Sequence, residues 1–324
     1  MKINILDTTY EVLETKEKVT IADSFVVRQN KIGTGNGEAK LYVGQDKKEI
    51  REFFGNRGFM IQCFLLKKDL LKYLEETKVE YFHPEQPYIN KEDLPYLWKQ
   101  RHEMILALPD VIEFEVQEQT QLDGSRIYVK SNNKAYRLIR ELSLPNITYI
   151  TIVKLVDERK KLFYYFKLFA DYFGDTQHPY VINKEEKESK VFEETMETKV
   201  LSRARKGQGK YREDLLNLCP YCPITMVSDE RILIASHIKP WSHSNDQEKI
   251  DPYNGFMFTP TYDYLFDRGY LTFTNDRRIK LSPFLSKMTY SKLGISDNIL
   301  CSTLPIEGRE DYLEYHRGNI FQGV

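Results

Sequence analysis

The segment from residue 231 to residue 269 constrains the fold of this chain more than any other part of the sequence. Apolar residues dominate positions 231–238, a polar loop occupies 239–253, and a second apolar run covers 256–258. Residues 261–268 are amphipathic and end before a glycine. Two short apolar runs joined by a polar loop predict a pair of strands, and the amphipathic stretch predicts a short helix. The segment therefore predicts a strand–strand–helix unit.

Composition limits the classes of protein to which the chain can belong. Its 324 residues are enough for two domains, and 41% of them are hydrophobic, which is enough for packed cores. The formal net charge of -1 argues against a protein that only coats nucleic acid. No apolar run reaches the roughly 20 residues that span a bilayer, and acidic residues near the N-terminus interrupt the apolar region that a signal peptide needs. We therefore expect a cytoplasmic protein without a membrane segment.

A charged stretch with few apolar residues, 183–199, marks the expected domain boundary. We predict an N-terminal domain over 1–182, a linker or helix over 183–198, and a C-terminal domain over 199–324. Strand-like and helix-like segments alternate before the boundary, which predicts a mixed α/β N-terminal domain. The whole protein is therefore expected to be α+β.

Within the N-terminal domain, the pattern predicts β-structure joined by turns over 20–66, with a hairpin turn at 33–37. Helical apolar spacing predicts helices over 67–78 and 94–108. Residues 161–173 are apolar on most faces, which predicts a buried strand followed by a helix.

Three residues of the 231–269 segment have side chains suited to the hydrolysis of a phosphodiester. His237 ends the first apolar run, Asn254 begins the Asn-Gly pair before the second, and Asp263 opens the amphipathic stretch. Hydrolysis needs a group that takes a proton from water and a cation that neutralises charge on the phosphate. A histidine suits the first task because its ordinary pKa is near neutrality, and carboxylates bind hard cations. Each residue also has a structural explanation, as a buried histidine, a turn or a helix N-cap.

The order and spacing of these residues resemble the ββα-metal site of HNH nucleases. Asn254 follows His237 by 17 residues, and Asp263 follows Asn254 by 9. Family members have a His that ends the first strand, an Asn in an Asn-Gly pair, and a third residue, often His, before an LFD-x-G sequence. Here the last sequence is LFDRG at 265–269.

Sequences on both sides of the motif extend this resemblance. RKGQGKYR at 205–212 and YLEYHRGNIF at 312–321 resemble the flanks of the domain in a branch of the family with Asp at the third position. The resemblance covers about residues 199–321. It implies a C-terminal ββα-metal nuclease domain that cuts DNA with one divalent metal ion, Mg²⁺ or Mn²⁺.

The resemblance also implies a role for each residue. His237 would be the general base, Asn254 would orient the loop and hold His237 through a side-chain hydrogen bond, and Asp263 would bind the metal. Many relatives place an Asp or His ligand directly before the catalytic His, where this chain has Ser236, a poor ligand. Water, Asp267 or His237 itself would then complete the metal shell. The alternative for Asp267 is a structural bond to backbone amides near the hairpin.

A basic run precedes the motif, because residues 199–212 contain six basic residues and no acidic one. A solvated helix face is one explanation, and phosphate contact is the other. The residues predicted to contact DNA, including a lysine from the polar loop, are Arg203, Arg205, Lys206, Gln208, Lys210, Arg212 and Lys239.

A Cys-x-x-Cys pair, Cys219 and Cys222, lies upstream of the first apolar run. A structural zinc site needs four ligands, and the sequence offers neither a second pair nor a spacing that would recruit Cys301. We therefore expect no structural Zn²⁺.

These patterns favour a restriction-type or defence endonuclease whose N-terminal domain recognises a sequence or a modified base in double-stranded DNA. In one alternative, the N-terminal domain senses a ligand and licenses cutting. In another, the protein binds DNA without cutting it, since Ser236 and Asp263 depart from the common motif. One site per chain favours a homodimer for cutting both strands.

Overall fold

The structure, a computed structural model, describes residues 1–21, 40–45, 47–119, 126–172 and 210–324. The chain divides into two compact units, Met1–Lys184 and Glu185–Val324. No helix in the described ranges has the length and apolar character needed to cross a membrane. The first unit is a sheet packed with helices, and the second carries the strand–strand–helix segment.

An eight-stranded sheet forms the first unit, in the order β1-β2-β7-β8-β4-β5-β6-β3. Neighbouring strands are antiparallel, except β4 and β8, which are parallel. The strands are β1 (Lys2–Ile5), β2 (Thr8–Thr20), β3 (Lys40–Gly44), β4 (Met60–Leu66), β5 (Val111–Gln119), β6 (Ile127–Lys130), β7 (Thr148–Asp157) and β8 (Leu162–Ala170). The helices are α1 (Lys47–Phe54), α2 (Lys67–Phe82), α3 (Leu94–Leu106) and α4 (Lys134–Leu142).

Alternating burial along β5 shows which face of the sheet packs against the main core. In β5, Ile112 and Phe114 are buried while Glu113 and Glu115 are exposed. The buried residues belong to one apolar cluster that also contains residues of α2, α3 and α4. A strand of period two therefore directs its apolar side chains toward the helices and its carboxylates away from them.

Strand β8 corrects one of the sequence predictions. Residues 162–170 form a single strand, so the expected strand and helix over 161–173 is wrong for the part of that range that the structure describes. Phe166 packs in the main core, and its neighbours Tyr165 and Lys167 are buried on the opposite face. Burial on both faces removes the alternation that identifies a strand from sequence.

Helix α1 is a second correction, because it interrupts the β-structure predicted over 20–66. The hairpin turn predicted at 33–37 lies outside the described residues. The predicted helices at 67–78 and 94–108 are present as α2 and α3.

The second unit contains a two-stranded sheet followed directly by a helix. Residues 210–218 are helical. The other elements are β9 (Ile234–His237), β10 (Gly255–Phe258), α5 (Pro260–Asp267), β11 (Leu271–Phe273), β12 (Ile279–Leu281), α6 (Lys287–Lys292), α7 (Glu310–Tyr315) and a π-helix (His316–Ile320). The strand–strand–helix unit thus follows an N-terminal α/β region, which confirms the predicted fold class.

An aromatic cluster joins the hairpin to α5 and β11. The rings of Phe256, Phe258, Phe266 and Phe273 are fully buried, with centroids 5.2 to 6.1 Å apart. Gly269 ends α5 with a φ of +69°, and a Cβ there would lie 2.2 Å from the carbonyl oxygen of Ile320. Close packing of these elements gives the hairpin a rigid support.

Candidate active site

The hairpin brings the three residues of the motif to the junction of three elements. β9 and β10 are antiparallel, and His237 at the end of β9 is opposite Gly255 at the start of β10. Asn254 comes directly before β10, and Asp263 lies in the first turn of α5. The two ends of the loop 239–253, which connects the strands, therefore lie close together.

The imidazole of His237 is held by a hydrogen bond and by two aromatic rings. Its Nε2 lies 3.1 Å from the carbonyl oxygen of Lys249, which can only accept, so Nε2 carries the hydrogen and Nδ1 has the lone pair. The Tyr211 ring stacks on it at 4.2 Å with an angle of 13°, and the Trp241 ring meets it edge-on at 5.6 Å. Burial lowers the pKa of His237, while the hydrogen bond to Lys249 raises it by less. The ring is therefore neutral at neutral pH.

Asn254 is fully buried, and its amide ties the loop together. Its Oδ1 accepts from the backbone N–H of Lys239 at 2.8 Å, and its Nδ2 donates to Glu248 O at 3.0 Å and Lys239 O at 3.2 Å. Nδ2 also lies 3.3 Å from the Ser244 hydroxyl. These hydrogen bonds run to the loop rather than to His237. Asn254 is therefore connected to His237 only indirectly among these bonds, through the loop residue Glu248 and its neighbour Lys249, whose carbonyl accepts from His237.

Two carboxylates and a hydroxyl form the acidic side of the candidate site. Burial raises the pKa of Asp263, a hydrogen bond with Ser236 lowers it, and the charge of Asp267 raises it again. Desolvation by the surrounding protein atoms raises the pKa of the Asp267 carboxyl, and the positive charge of Arg268 offsets part of this rise. The residue as a whole is nevertheless exposed to solvent. Ser236, Asp263 and Asp267 therefore converge on one region.

The donor set fits a hard divalent cation that takes few protein ligands. Asp263 and Asp267 are four residues apart on α5, and burial is the main cause of the raised pKa of each carboxyl group. Mg²⁺ commonly uses one or two carboxylates and completes its shell with water and phosphate. No group of three or more His, Cys, Asp or Glu side chains gathers as a metal site in the described parts of the chain.

The residues predicted to contact DNA have different surroundings. Lys210 is exposed on the 210–218 helix. Arg212 donates through Nη1 to Leu233 O at 2.8 Å and through Nη2 to Glu230 O at 2.6 Å, so its guanidinium holds the turn before β9.

Lys239 is paired with Glu248 across the loop, at 2.7 and 2.8 Å. The other four predicted residues, Arg203, Arg205, Lys206 and Gln208, lie outside the described residues.

The Cys-x-x-Cys pair is part of the packing under the hairpin. Cys219 and Cys222 are fully buried free thiols. Cys219 Sγ donates to Tyr221 O at 3.3 Å, and Cys222 Sγ lies 3.9 Å from the hydroxyl of Thr259. The buried Cys301 donates to Pro223 O at 3.0 Å.

Three contributors to the site were missed from the sequence. Tyr211 and Trp241 contact His237, and the buried Arg309 donates through Nε to Gly255 O at 3.0 Å. Tyr211 lies inside the 205–212 sequence, whose basic residues suggested phosphate contact and whose family resemblance assigned no role to the tyrosine. Trp241 follows His237 by four residues, and Arg309 lies 54 residues beyond Gly255, so no local pattern could assign Arg309 to the site.

A family model described as HNH endonuclease matches residues 222–274. This range contains His237, Asn254, Asp263 and Asp267, together with the hairpin and α5. A comparison with curated proteins finds no match. The resemblance stated from the sequence is confirmed over the matched residues.

Proposed function

We propose, from the premise that residues 222–274 form an HNH endonuclease domain, that this protein is a metal-dependent endonuclease of double-stranded DNA. The hydrogen bond from His237 Nε2 to Lys249 O carries the proposal. It gives the imidazole the tautomer that a general base needs, since the lone pair is on Nδ1. The buried His316, by comparison, uses both ring nitrogens for hydrogen bonds within the protein.

His237 would take the proton of the attacking water on Nδ1. Burial supports this role, because a lowered pKa keeps the ring neutral and able to accept at neutral pH. The Lys249 carbonyl would then stabilise the imidazolium through the Nε2–H bond. Asn254 would keep the loop, and with it that carbonyl, in place.

Asp263 and Asp267 would hold the divalent cation, Mg²⁺ or Mn²⁺, through their carboxylates. When bound, the cation neutralises charge on the phosphoryl oxygens and stabilises the leaving 3′-oxygen. Ser236 would contribute by its hydrogen bond with Asp263, which orients that carboxylate. His237 has only Nδ1 left for any ligand, and the proton transfer uses that atom.

The N-terminal unit would select the DNA, as in a restriction-type or defence nuclease. Its own eight-stranded sheet and helix-covered core support an independent task for the unit. The net charge of -1 supports selective rather than indiscriminate binding of DNA. Action on both strands would require a homodimer or two sequential nicks.

Cleavage assays on plasmid and on modified phage DNA test this proposal. The protein should cut with Mg²⁺ or Mn²⁺ and not with EDTA, and His237→Ala should reduce the rate by at least about 100-fold. His243→Ala is the matched control, because His243 is an exposed histidine of the same loop. Equal cleavage by wild type and His237→Ala would refute the assigned base.

The same assay distinguishes the alternatives. A protein that cuts only after a small molecule is added would have a sensing N-terminal unit. A protein that binds DNA but neither cuts it nor binds Mg²⁺ or Mn²⁺ in calorimetry would be a non-catalytic DNA-binding protein.

A further inference from the structure

We propose that Tyr211 is a positioning residue that fixes the imidazole of His237 and the backbone of Asn254 at the same time. The inference rests on the proposed function, because it assigns a role in the same reaction. Tyr211 lies on the 210–218 helix, outside the region matched by the family model. Two independent contacts of its side chain carry the argument.

The ring of Tyr211 determines the plane of the imidazole. The hydrogen bond from His237 to Lys249 O fixes one ring nitrogen, but it leaves the ring free to rotate about the N···O direction. The phenol ring stacks on the imidazole at 4.2 Å and 13°, so such rotation would drive the two rings into each other. The hydrogen bond and the stack together therefore decide where Nδ1 points.

The hydroxyl of Tyr211 holds the other residue of the motif. It donates to the Asn254 carbonyl oxygen at 3.1 Å, which also accepts from the backbone N–H of Ile238 at 3.1 Å. The Asn254 carbonyl thus joins the Tyr211 hydroxyl to the residue after His237. One side chain from an upstream helix therefore contacts both ends of the loop that presents Lys249, through the His237 ring and the Asn254 backbone.

Gly255 gives independent evidence that the position of this hydroxyl is required. Its φ is -164°, an extended conformation that any residue adopts, so backbone strain does not explain the glycine. A Cβ at this position would lie 2.1 Å from the Tyr211 hydroxyl, 2.9 Å from Leu215 Cδ2 and 3.1 Å from Ser236 O. Because Gly255 has no side chain, it leaves the space that the Tyr211 hydroxyl occupies.

Burial predicts which kinetic constant Tyr211 controls. Only 3% of the residue is exposed, so it is shielded from a bound DNA chain. Its loss should lower kcat and leave KM nearly unchanged, since it orients the base without contacting the substrate. Misorientation of a catalytic group by a supporting residue costs roughly 10–100-fold in rate.

Three variants of the full-length protein test the proposal: Tyr211→Leu, Tyr211→Phe and the control Tyr290→Leu. Tyr290 is a matched control because it is also 3% exposed, lies in the same unit, and donates to backbone carbonyls at 2.9 and 3.0 Å. Rates with Mg²⁺ are divided by the folded fraction. We expect Tyr211→Leu to lower kcat roughly 10–100-fold with KM within about twofold, and Tyr211→Phe to lose less.

A spectroscopic readout separates positioning from stability. The stacked phenol should shift the ring-proton signals of His237 upfield, and this shift should disappear in Tyr211→Leu but remain in Tyr211→Phe and Tyr290→Leu. The proposal is overturned if the His237 signals do not change in Tyr211→Leu, or if the Leu variants at 211 and 290 lose equal activity per folded molecule. If the wild type cuts no DNA, the proposed function fails, whereas the spectra still decide whether Tyr211 orients His237.

The contact with Gly255 allows a further test by paired substitution. Gly255→Ala should lower kcat because its methyl group displaces the Tyr211 hydroxyl. Tyr211→Phe removes the displaced atom, so the double variant should be more active than Gly255→Ala alone. Additive losses would mean that the hydroxyl and Gly255 are not in contact, which contradicts the proposal.

Discussion

Acidification should destabilise the C-terminal unit through His316, a buried histidine far along the sequence from the motif. His316 is 1% exposed, its ring stacks on Phe266 at 3.9 Å, and Nε2 donates to Phe266 O at 3.0 Å. Nδ1 accepts from the Thr272 hydroxyl at 2.9 Å, so both nitrogens are used by the neutral ring. Burial lowers the pKa of His316 from 6.5 to about 4.

The direction and size of the effect follow from this pKa. Between pH 6.5 and about 4 the unfolded chain binds a proton at His316 that the folded chain does not. The stability that the neutral, buried His316 contributes is therefore fully present above pH 6.5 and is lost as the pH falls toward 4. A shift of one pKa unit corresponds to about 1.4 kcal/mol, so lowering the pH from 7 to 5 should cost about 2 kcal/mol.

Urea unfolding of the wild type and of His316→Gln measures this cost. The chain has two tryptophans, one in each unit, so Trp98→Phe leaves Trp241 as a fluorescent reporter of the C-terminal unit. Both proteins are compared in that background. Between pH 7 and pH 5, the unfolding free energy should fall by about 2 kcal/mol more when His316 is present than in the His316→Gln variant. An equal pH dependence with and without His316 would refute the reasoning, whatever the stability of the variant at pH 7.

Three more predictions concern the site itself. Because burial lowers the pKa of His237, the acidic limb of the pH profile of kcat/KM should have its midpoint below pH 6.5; a midpoint above 6.5 would contradict a neutral, buried base. Asn254→Ala removes the buried amide that ties the loop together, so urea unfolding should show a free energy of unfolding lower by roughly 2–4 kcal/mol. It should also slow cleavage more than Ser242→Ala, a substitution on the exposed surface of the same loop. Asp263→Asn keeps the shape of the side chain and removes its charge, so calorimetry should show Mg²⁺ binding at least about tenfold weaker than in the control Asp246→Asn. Asp246 is a suitable control because its carboxylate is exposed and lies outside α5. Unchanged Mg²⁺ affinity in Asp263→Asn would remove Asp263 from the metal site.

The N-terminal fold was predictable where one face of an element is buried and the other is not. The alternation in β5 and the apolar spacing in α2 indicated their structure, because the period of burial matches the period of the element. β8 was partly mispredicted because both of its faces are buried, which erases the period. Helix α1 has only 8 residues, which are too few to show a clear helical spacing of apolar residues in the sequence.

The sequence alone determined the order of the two strands and the helix within 231–269 and placed His237, Asn254 and Asp263 near their ends, because short-range spacing encodes a hairpin and a helix. Only the tertiary structure decided which side chains and carbonyls hold these residues in place. The tautomer of His237 depends on a carbonyl 12 residues away, and its orientation depends on a tyrosine that also bonds Asn254 across 43 residues. Arg212, which is predicted to contact phosphate, also donates to two backbone carbonyls before β9. Hydrogen bonds and ring contacts between distant segments leave no periodic trace in the chain, so they exist only once the core has brought the segments together.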